Sequence, residues 1–309
     1  MFAPLVMSEF PQISVIIPVF ERKTIFATIS FLRTQSYARY LHFLIIDNGN
    51  KPELASKLHK LIGCDCQVLR LERNRGGAGA YRAGMQKCAH GSSEFIWLLD
   101  DDARINKETL PNLIGTYQDL VRQGIKVGTV GSMVVDCATP AKVIELGSRI
   151  SRFSGRINPE CSFVPVCNIP KKVAEVDYVP AVSCLVRRET VAEVGVFADL
   201  FIHWDDIEWQ FRLQRHGYRN FSTSQSIIQH VRPHGKRSRW LWYYDARNQV
   251  WFFINHRRYL LFNVTLFWLA RGIVMFLCGR CKEARLVWLG IYHAFKGELL
   301  MRDELPFQS

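Results

Sequence analysis

The chain has 309 residues, 48% hydrophobic and 22% charged, with 20 Gly and 12 Pro; this excludes disordered, collagen-like and low-complexity classes and allows a full core without staples. Lys and Arg outnumber Asp and Glu by 40 to 28, a net charge of +12, which points to an anionic partner: phosphates, nucleic acid or an acidic lipid surface.

Residues 13–18 form a short β-branched run ended by Pro18 and predict a buried strand. Residues 24–35 carry Ile25, Ile29 and Leu32 at helical spacing. A second strand over 41–46 stops at the turn sequence Asp47-Asn48-Gly49. A helix over 52–61 and a third strand over 66–71 follow. The Gly-rich loop from Arg75 to Gly79 is then expected to open a helix over 80–88, and a fourth strand over 94–99 runs into Asp100-Asp101-Asp102. Alternating strands and helices imply an α/β chain with a mostly parallel sheet and helices on both faces. Ligands of such sheets bind beyond the carboxyl ends of the strands. Asp47, the Gly-rich loop and the three aspartates all fall at that edge.

Asp100 and Asp102 are alternate residues of an extended segment and can face one site. Paired carboxylates beside a diphosphate suit a hard divalent cation; a solvated acidic turn is the plainer reading, but adjacent acids repel unless a cation neutralises them. Gly76 and Gly77 let the backbone approach a phosphate, helped by Arg75 and a helix N-terminus, although a tight turn explains them equally well. Trp204, Asp205, Asp206, Glu208 and Arg212 lie in a segment of helical character. Glu208 and Arg212 can pair one turn apart, and a carboxylate beside Trp204 can have a raised pKa and act as a general base. His230 ends an apolar strand and is a candidate third metal ligand, with His234 as its competitor and a core histidine as the plainer reading. Cys278 and Cys281 form one CxxC pair without a second, a poor zinc site.

In this order the elements resemble the family 2 glycosyltransferases of GT-A fold, over residues 13–230. The resemblance implies a nucleotide-sugar site at Pro18, Phe20, Asp47, Asn48, Arg75, Gly76, Gly77, Asp100 and Asp101, with Asp47 reading the base. It implies Mg²⁺ or Mn²⁺ on Asp100 and Asp102, with His230 beside them. Asp206 matches the acid of the family's late motif, the general base of an inverting transfer, with Trp204, Asp205, Glu208 and Arg212 as acceptor or support residues. The Trp-Asp-Asp form, Arg212, a later His and Tyr243-Tyr244-x-x-Arg247-Asn248 look most like the galactofuranosyl- and rhamnosyltransferase branch. The implied donor is a UDP- or dTDP-sugar and the implied acceptor a glycan or lipid-linked glycan of cell-surface polysaccharide.

The charge is uneven. Between His230 and Arg285 stand 11 Lys or Arg against Asp245 and Glu283, along with 12 aromatic residues. This shift sets the expected boundary: a GT-A domain over 1–229 and a helical, basic and aromatic extension over 230–309. Residues 260–278 approach a membrane span but contain Arg271, which costs about 2.5–3.5 kcal/mol at a helix centre. Helices lying in an anionic headgroup layer are therefore expected; packing on the catalytic domain or in a homo-oligomer is the plainer reading. Nine scattered Cys and no basic-then-apolar start suggest a cytoplasmic protein, peripheral to the inner face of the cell membrane. Basic plus aromatic also describes an RNA surface, but these aromatics fall in apolar runs and no nucleic-acid-binding signature is present. A nucleotidyltransferase would share the sheet-edge metal but leaves the 204–212 motif unexplained.

Overall fold

The first strand already explains the layering. In β1 (Ile13–Val19) successive side chains point to opposite faces. Ile13, Val15, Ile17 and Val19 join one apolar cluster and Ile16 joins another. The structure is a computed structural model that describes residues 10–20, 24–49, 52–62, 66–136, 142–230, 237–299, 301 and 305. The first cluster is completed by α1 (Thr24–Arg33), α2 (Pro52–Ile62) and α4 (Thr109–Arg122); the second by α3 (Gly76–Ala89), α5 (Arg188–Val194) and α6 (Asp205–Arg215). Helices therefore cover both faces, which is why β1 carries apolar side chains toward both.

β2 (Leu41–Asp47), β3 (Cys66–Arg70) and β4 (Phe95–Leu99) extend β1 in parallel, in the order β3-β2-β1-β4. Beyond β4 the sheet becomes mixed. β11 (Ser183–Arg187) is inserted antiparallel between β4 and β6 (Val127–Asp136). β12 (Arg219–His230) runs parallel to β6, and β10 (Val173–Val176) closes that edge antiparallel. Short strands β5 (Arg104–Ile105), β7 (Val143–Glu145), β8 (Ser148–Ile150) and β9 (Ile157–Pro159) complete the strand set. The sheet is thus parallel from β3 to β4 and mixed beyond.

Helix α3 begins at Gly76, four residues earlier than its composition suggests. Gly76 has φ +68°, and a Cβ placed there would lie 1.9 Å from the Phe201 carbonyl oxygen. Only glycine allows the first turn to start against that loop.

The C-terminal segment forms α7 (Leu241–Asn255), α8 (Leu261–Leu277) and α9 (Cys281–Lys296). α8 buries Val264, Trp268, Gly272 and Met275, one stripe at helical spacing. Its outer face is also apolar, with Phe262, Leu266, Ile273 and Leu277 exposed. The helical stretch 258–277 is 20 residues long with mean hydropathy 1.9, and 28% of its most apolar window is buried; by length and composition it is able to cross a membrane. Trp204 and Ile207 of the α6 region share a cluster with Trp242, Phe252 and Phe253 of α7, so the extension packs directly on the sheet domain. Cys278 and Cys281 are exposed free thiols.

Candidate active site

Strand pairing assembles the first half of the site. β4 delivers Asp100 at its carboxyl end, where the Asp100 N–H donates to the Val182 carbonyl of the loop before β11 at 3.1 Å. Two residues beyond Asp102, β5 pairs with the end of β12, Ile105 opposite Ile228 and Arg104 opposite Gln229. That pairing places His230 beside the aspartates. His230 Nε2 lies 3.2 Å from Asp102 Oδ1 and 3.6 Å from Asp100 Oδ2, and one ligand atom from each of the three residues falls within 4.8 Å of the others. Two hard carboxylates and an imidazole fit Mg²⁺ or Mn²⁺. Burial disfavours a charged His230, but its hydrogen bonds and attraction to Asp100 and Asp102 prevail and push it up to about 10. Tyr81, on α3, donates to Asp100 Oδ1 at 2.7 Å and orients it; burial and then Asp100 push the phenol well above its ordinary range, so it stays a donor. His234 lies outside the described residues.

Asp206 forms the second half. It is in the first turn of α6, where Oδ1 accepts from Ile207 N at 2.8 Å and Oδ2 from Ala181 N at 3.4 Å. Burial, the neighbouring Asp205 and then Glu145 hold its carboxyl well above the usual range. Burial also raises Asp205, which feels Asp100 and Glu208. A cleft of about 600 Å³ joins the two halves: Gly77, Asp100, His230, Trp204, Asp205 and Asp206 all line it. Its floor includes Glu145, whose carboxyl is raised by burial while Ser148 Oγ donates to it at 2.6 Å.

The loop before α6 is strained. Phe201, His203 and Trp204 have φ of +68°, +62° and +69°, each costing about 1–3 kcal/mol. Arg247 and Asn248, both fully buried on α7, hold it. Arg247 Nη2 donates to Leu200 O at 2.7 Å, and Asn248 Nδ2 to Ile202 O at 2.7 Å and His203 O at 2.9 Å. Tyr244 stacks on Phe201 with ring centroids 4.8 Å apart. The Tyr243-Tyr244-x-x-Arg247-Asn248 motif is therefore the buttress that aims Asp205 and Asp206 into the cleft.

The remaining motif residues lie apart from that cleft. Asp47, 1% exposed, ends β2, accepts from Gly49 N at 3.2 Å and faces Arg70 Nε at 3.5 Å. Asn48 pins the Gly-rich loop, donating to Gly76 O at 3.0 Å and accepting from Arg75 N at 2.8 Å. Pro18 lies in β1 and Phe20, 41% exposed, just past its end. Arg75 pairs with Asp199 on the loop leading to α6. Asp101 is buried, and its backbone carbonyl accepts from Thr28 at 3.1 Å. Buried Glu208 and half-buried Arg212 form a two-pronged pair at 2.8 and 3.0 Å; His256 closes on Glu208 at 3.1 Å and Arg212 caps Val194 and Val196 carbonyls. They support α6 rather than line the cleft. Tyr81, Glu145, Asp199 and Asp245 were not singled out by sequence. Only Tyr81 carried a signal, one helical turn past Gly77 on the face that abuts the fourth strand.

Residues 14–135 match the family model described as glycosyl transferase family 2. The chain contains that domain. Among curated relatives, the chain is similar to galactofuranosyltransferase GlfT2 of Mycolicibacterium smegmatis, 24% identical over 195 residues, covering 57% of this chain and 30% of that protein. GlfT2 of Mycobacterium tuberculosis is 22% identical over 66% of this chain and 33% of its own length, and GlfT1 of M. smegmatis 26% identical over 57% and 56%. The chain thus spans about a third of the length of the GlfT2 relatives. Solved structures show the same GT-A fold. GalNAc-T7 with UDP, GalNAc and Mn²⁺ superposes with a TM-score of 0.61 at 15% identity, over 80% of this chain and 48% of that one. Mannosyltransferase PcManGT from Pyrobaculum calidifontis, with GDP-Man and Mn²⁺, gives 0.57 at 15% identity, over 94% and 76%.

Proposed function

We propose that the protein is a divalent-metal-dependent, inverting glycosyltransferase that moves a sugar, galactofuranose or rhamnose favoured, from a UDP- or dTDP-sugar to a hydroxyl of a glycan acceptor. The observation that carries this is the shared cleft: Asp100 and His230, two of the three residues of the Asp100–Asp102–His230 cluster, line one cavity with the raised carboxyl of Asp206. The family domain and the named galactofuranosyltransferase relatives support it.

Asp100, Asp102 and His230 would hold the ion, whose chemistry is to neutralise charge on a departing diphosphate. The open space at Gly77, where an added Cβ would meet nothing within 4 Å, admits phosphate oxygens against the α3 N-terminus. Asp206 takes the proton of the acceptor hydroxyl as its oxygen bonds to the anomeric carbon; the glycosyl–phosphate bond breaks on the opposite face and its electron pair leaves with the diphosphate. The raised pKa of Asp206 matches a base to the proton it must accept. Incubating the chain with UDP-galactofuranose or dTDP-rhamnose, Mn²⁺ and a hydroxyl acceptor tests this. Asp206→Ala should abolish transfer and keep donor binding; lost donor binding with transfer retained contradicts the assignment.

The exposed apolar face of α8, flanked by Arg257, Arg258, Arg280, Lys282 and Arg285, supports attachment to the cytoplasmic leaflet. Release by high salt or alkaline carbonate is the expected outcome; retention through both indicates a spanning helix instead.

A further inference from the structure

A second cavity of about 550 Å³ opens off the catalytic cleft and shares Ile157, Trp204 and Asp245 with it. It runs between the β8–β9 turn, α7 and α8. Its lining combines aromatic side chains (Phe153, Phe267, Trp268) with planar polar groups (Arg156, Gln249, Asn263). Sugars present flat C–H faces and rings of hydroxyls, so a wall of this composition suits a glycan. Phe153, 87% exposed, has no packing role of its own.

The two long walls continue past the cavity. On α8, Val264 and Trp268, four residues apart, are followed three residues on by Arg271; on α7, Gln249 and Asp245 are preceded by Trp242. Trp268 Nε1 donates to Gln249 Oε1 at 2.8 Å, which sets the antiparallel register. At the far end three guanidiniums surround one indole: Arg237, Arg271 and Arg280 lie 4.4, 5.4 and 5.5 Å from the Trp242 ring centroid. Asp245 pairs with Arg237, and Glu283 approaches Arg280 at 3.4 Å. Arg271 has no carboxylate partner among the described residues. Burial, and then Arg271, disfavour the charge on Arg237. Trp242 is 9% exposed, and its Nε1 finds no acceptor among the described residues. Three guanidiniums therefore share two carboxylates, and Arg271 and the buried Trp242 N–H are the groups left for an anion with several acceptor oxygens. Exposed apolar residues of α8 adjoin the cluster.

We propose that this groove is the track of a phosphate-linked lipid acceptor: its sugars lie in the aromatic cavity leading to Asp206, its phosphate sits on Arg237, Arg271 and Arg280 at Trp242, and its apolar chain lies along the outer face of α8. The proposal rests on the glycosyltransferase reading for the identity of the sugars, but the phosphate site is tested without it.

The test is calorimetric titration of the full chain in non-ionic detergent with geranyl phosphate, geraniol or inorganic phosphate, for the parent chain, Arg271→Gln and Arg271→Lys. Geranyl phosphate should bind the parent at least about tenfold more tightly than geraniol, Arg271→Gln should lose about tenfold, and Arg271→Lys should recover part of it. UDP with Mn²⁺ should bind the parent and Arg271→Gln alike; if neither binds it, the cleft reading fails while the phosphate result stands. Equal affinity of geraniol and geranyl phosphate overturns the proposal, as does an unchanged Arg271→Gln. Inorganic phosphate binding as tightly as geranyl phosphate marks a free-anion site and overturns the lipid assignment. So does an Arg271 effect seen only in sedimentation with phosphatidylglycerol vesicles, which marks bulk headgroup contact.

Discussion

Gly76 and Gly77 are neighbours in one motif, yet the structure gives them opposite roles. At Gly76, φ is +68° and an added Cβ meets Phe201 O at 1.9 Å and Phe201 C at 2.6 Å, both backbone atoms that no rotamer change can move. In Gly76→Ala the left-handed backbone costs about 1–2 kcal/mol. Relieving the clash pushes the 199–204 loop away, breaks the 3.0 Å bond from Ala78 N to Phe201 O and forces repacking, which adds about 0.5–1.5 and 1–3 kcal/mol respectively. A loss of about 3–6 kcal/mol is expected, with a collapse in turnover because the same loop aims Asp206. Gly77→Ala meets nothing within 4 Å, and in a helix the change favours stability by about 0.5–1 kcal/mol. Its methyl group enters the space assigned to the donor phosphates, so donor affinity should fall while stability holds. Urea unfolding of both variants, read beside donor titration, separates the two. Equal unfolding midpoints would refute the close approach of the Gly-rich loop to the α6 loop.

Asp206→Asn should lower transfer by about 10²–10⁴ while donor binding persists in a direct titration. The Asp206 pKa is raised in the fold, so its stabilising contribution is complete below the unfolded carboxylate pKa and is lost as pH rises through the folded one. Asp206→Asn should therefore stabilise the chain more at pH 8 than at pH 5, and a reversed order contradicts a raised carboxyl. For the same reason transfer by the parent should increase with pH through that folded pKa. Glu208→Gln leaves Arg212 and His256 facing a lost charge in the interior; about 3–5 kcal/mol of stability should go, and a fully stable variant shows that the pair is not the support described. Asn248→Ala strands the carbonyls of Ile202 and His203, so kcat should fall with little change in donor affinity; an effect confined to affinity contradicts a positioning role.

The parallel half of the fold was legible because its strands are fully buried β-branched runs punctuated by turns, as in residues 13–18 and 41–46. The three aspartates were legible because repulsion makes such a run conspicuous. The mixed half was not. Strands β7, β8 and β9 have three residues each, too short for a period to emerge, so Glu145 had no context. His230 was visible as a strand end, but its meeting with Asp102 depends on β5 pairing with β12 across more than a hundred residues. Glu208 and Arg212 were visible as a pair one turn apart; that they point away from the cleft is set by His256 and the Val194 and Val196 carbonyls. Arg247 and Asn248 look like polar interruptions of an aromatic helix, and only the left-handed loop they hold explains their burial.

The most direct test is electron–nuclear double resonance on Mn²⁺ bound with UDP. One Mn²⁺ per chain with ³¹P coupling to the diphosphate is expected, lost in Asp102→Asn and kept in Asp206→Asn. Mn²⁺ that binds Asp102→Asn as well as the parent, or that shows no phosphorus coupling, contradicts a cation placed to receive the leaving group.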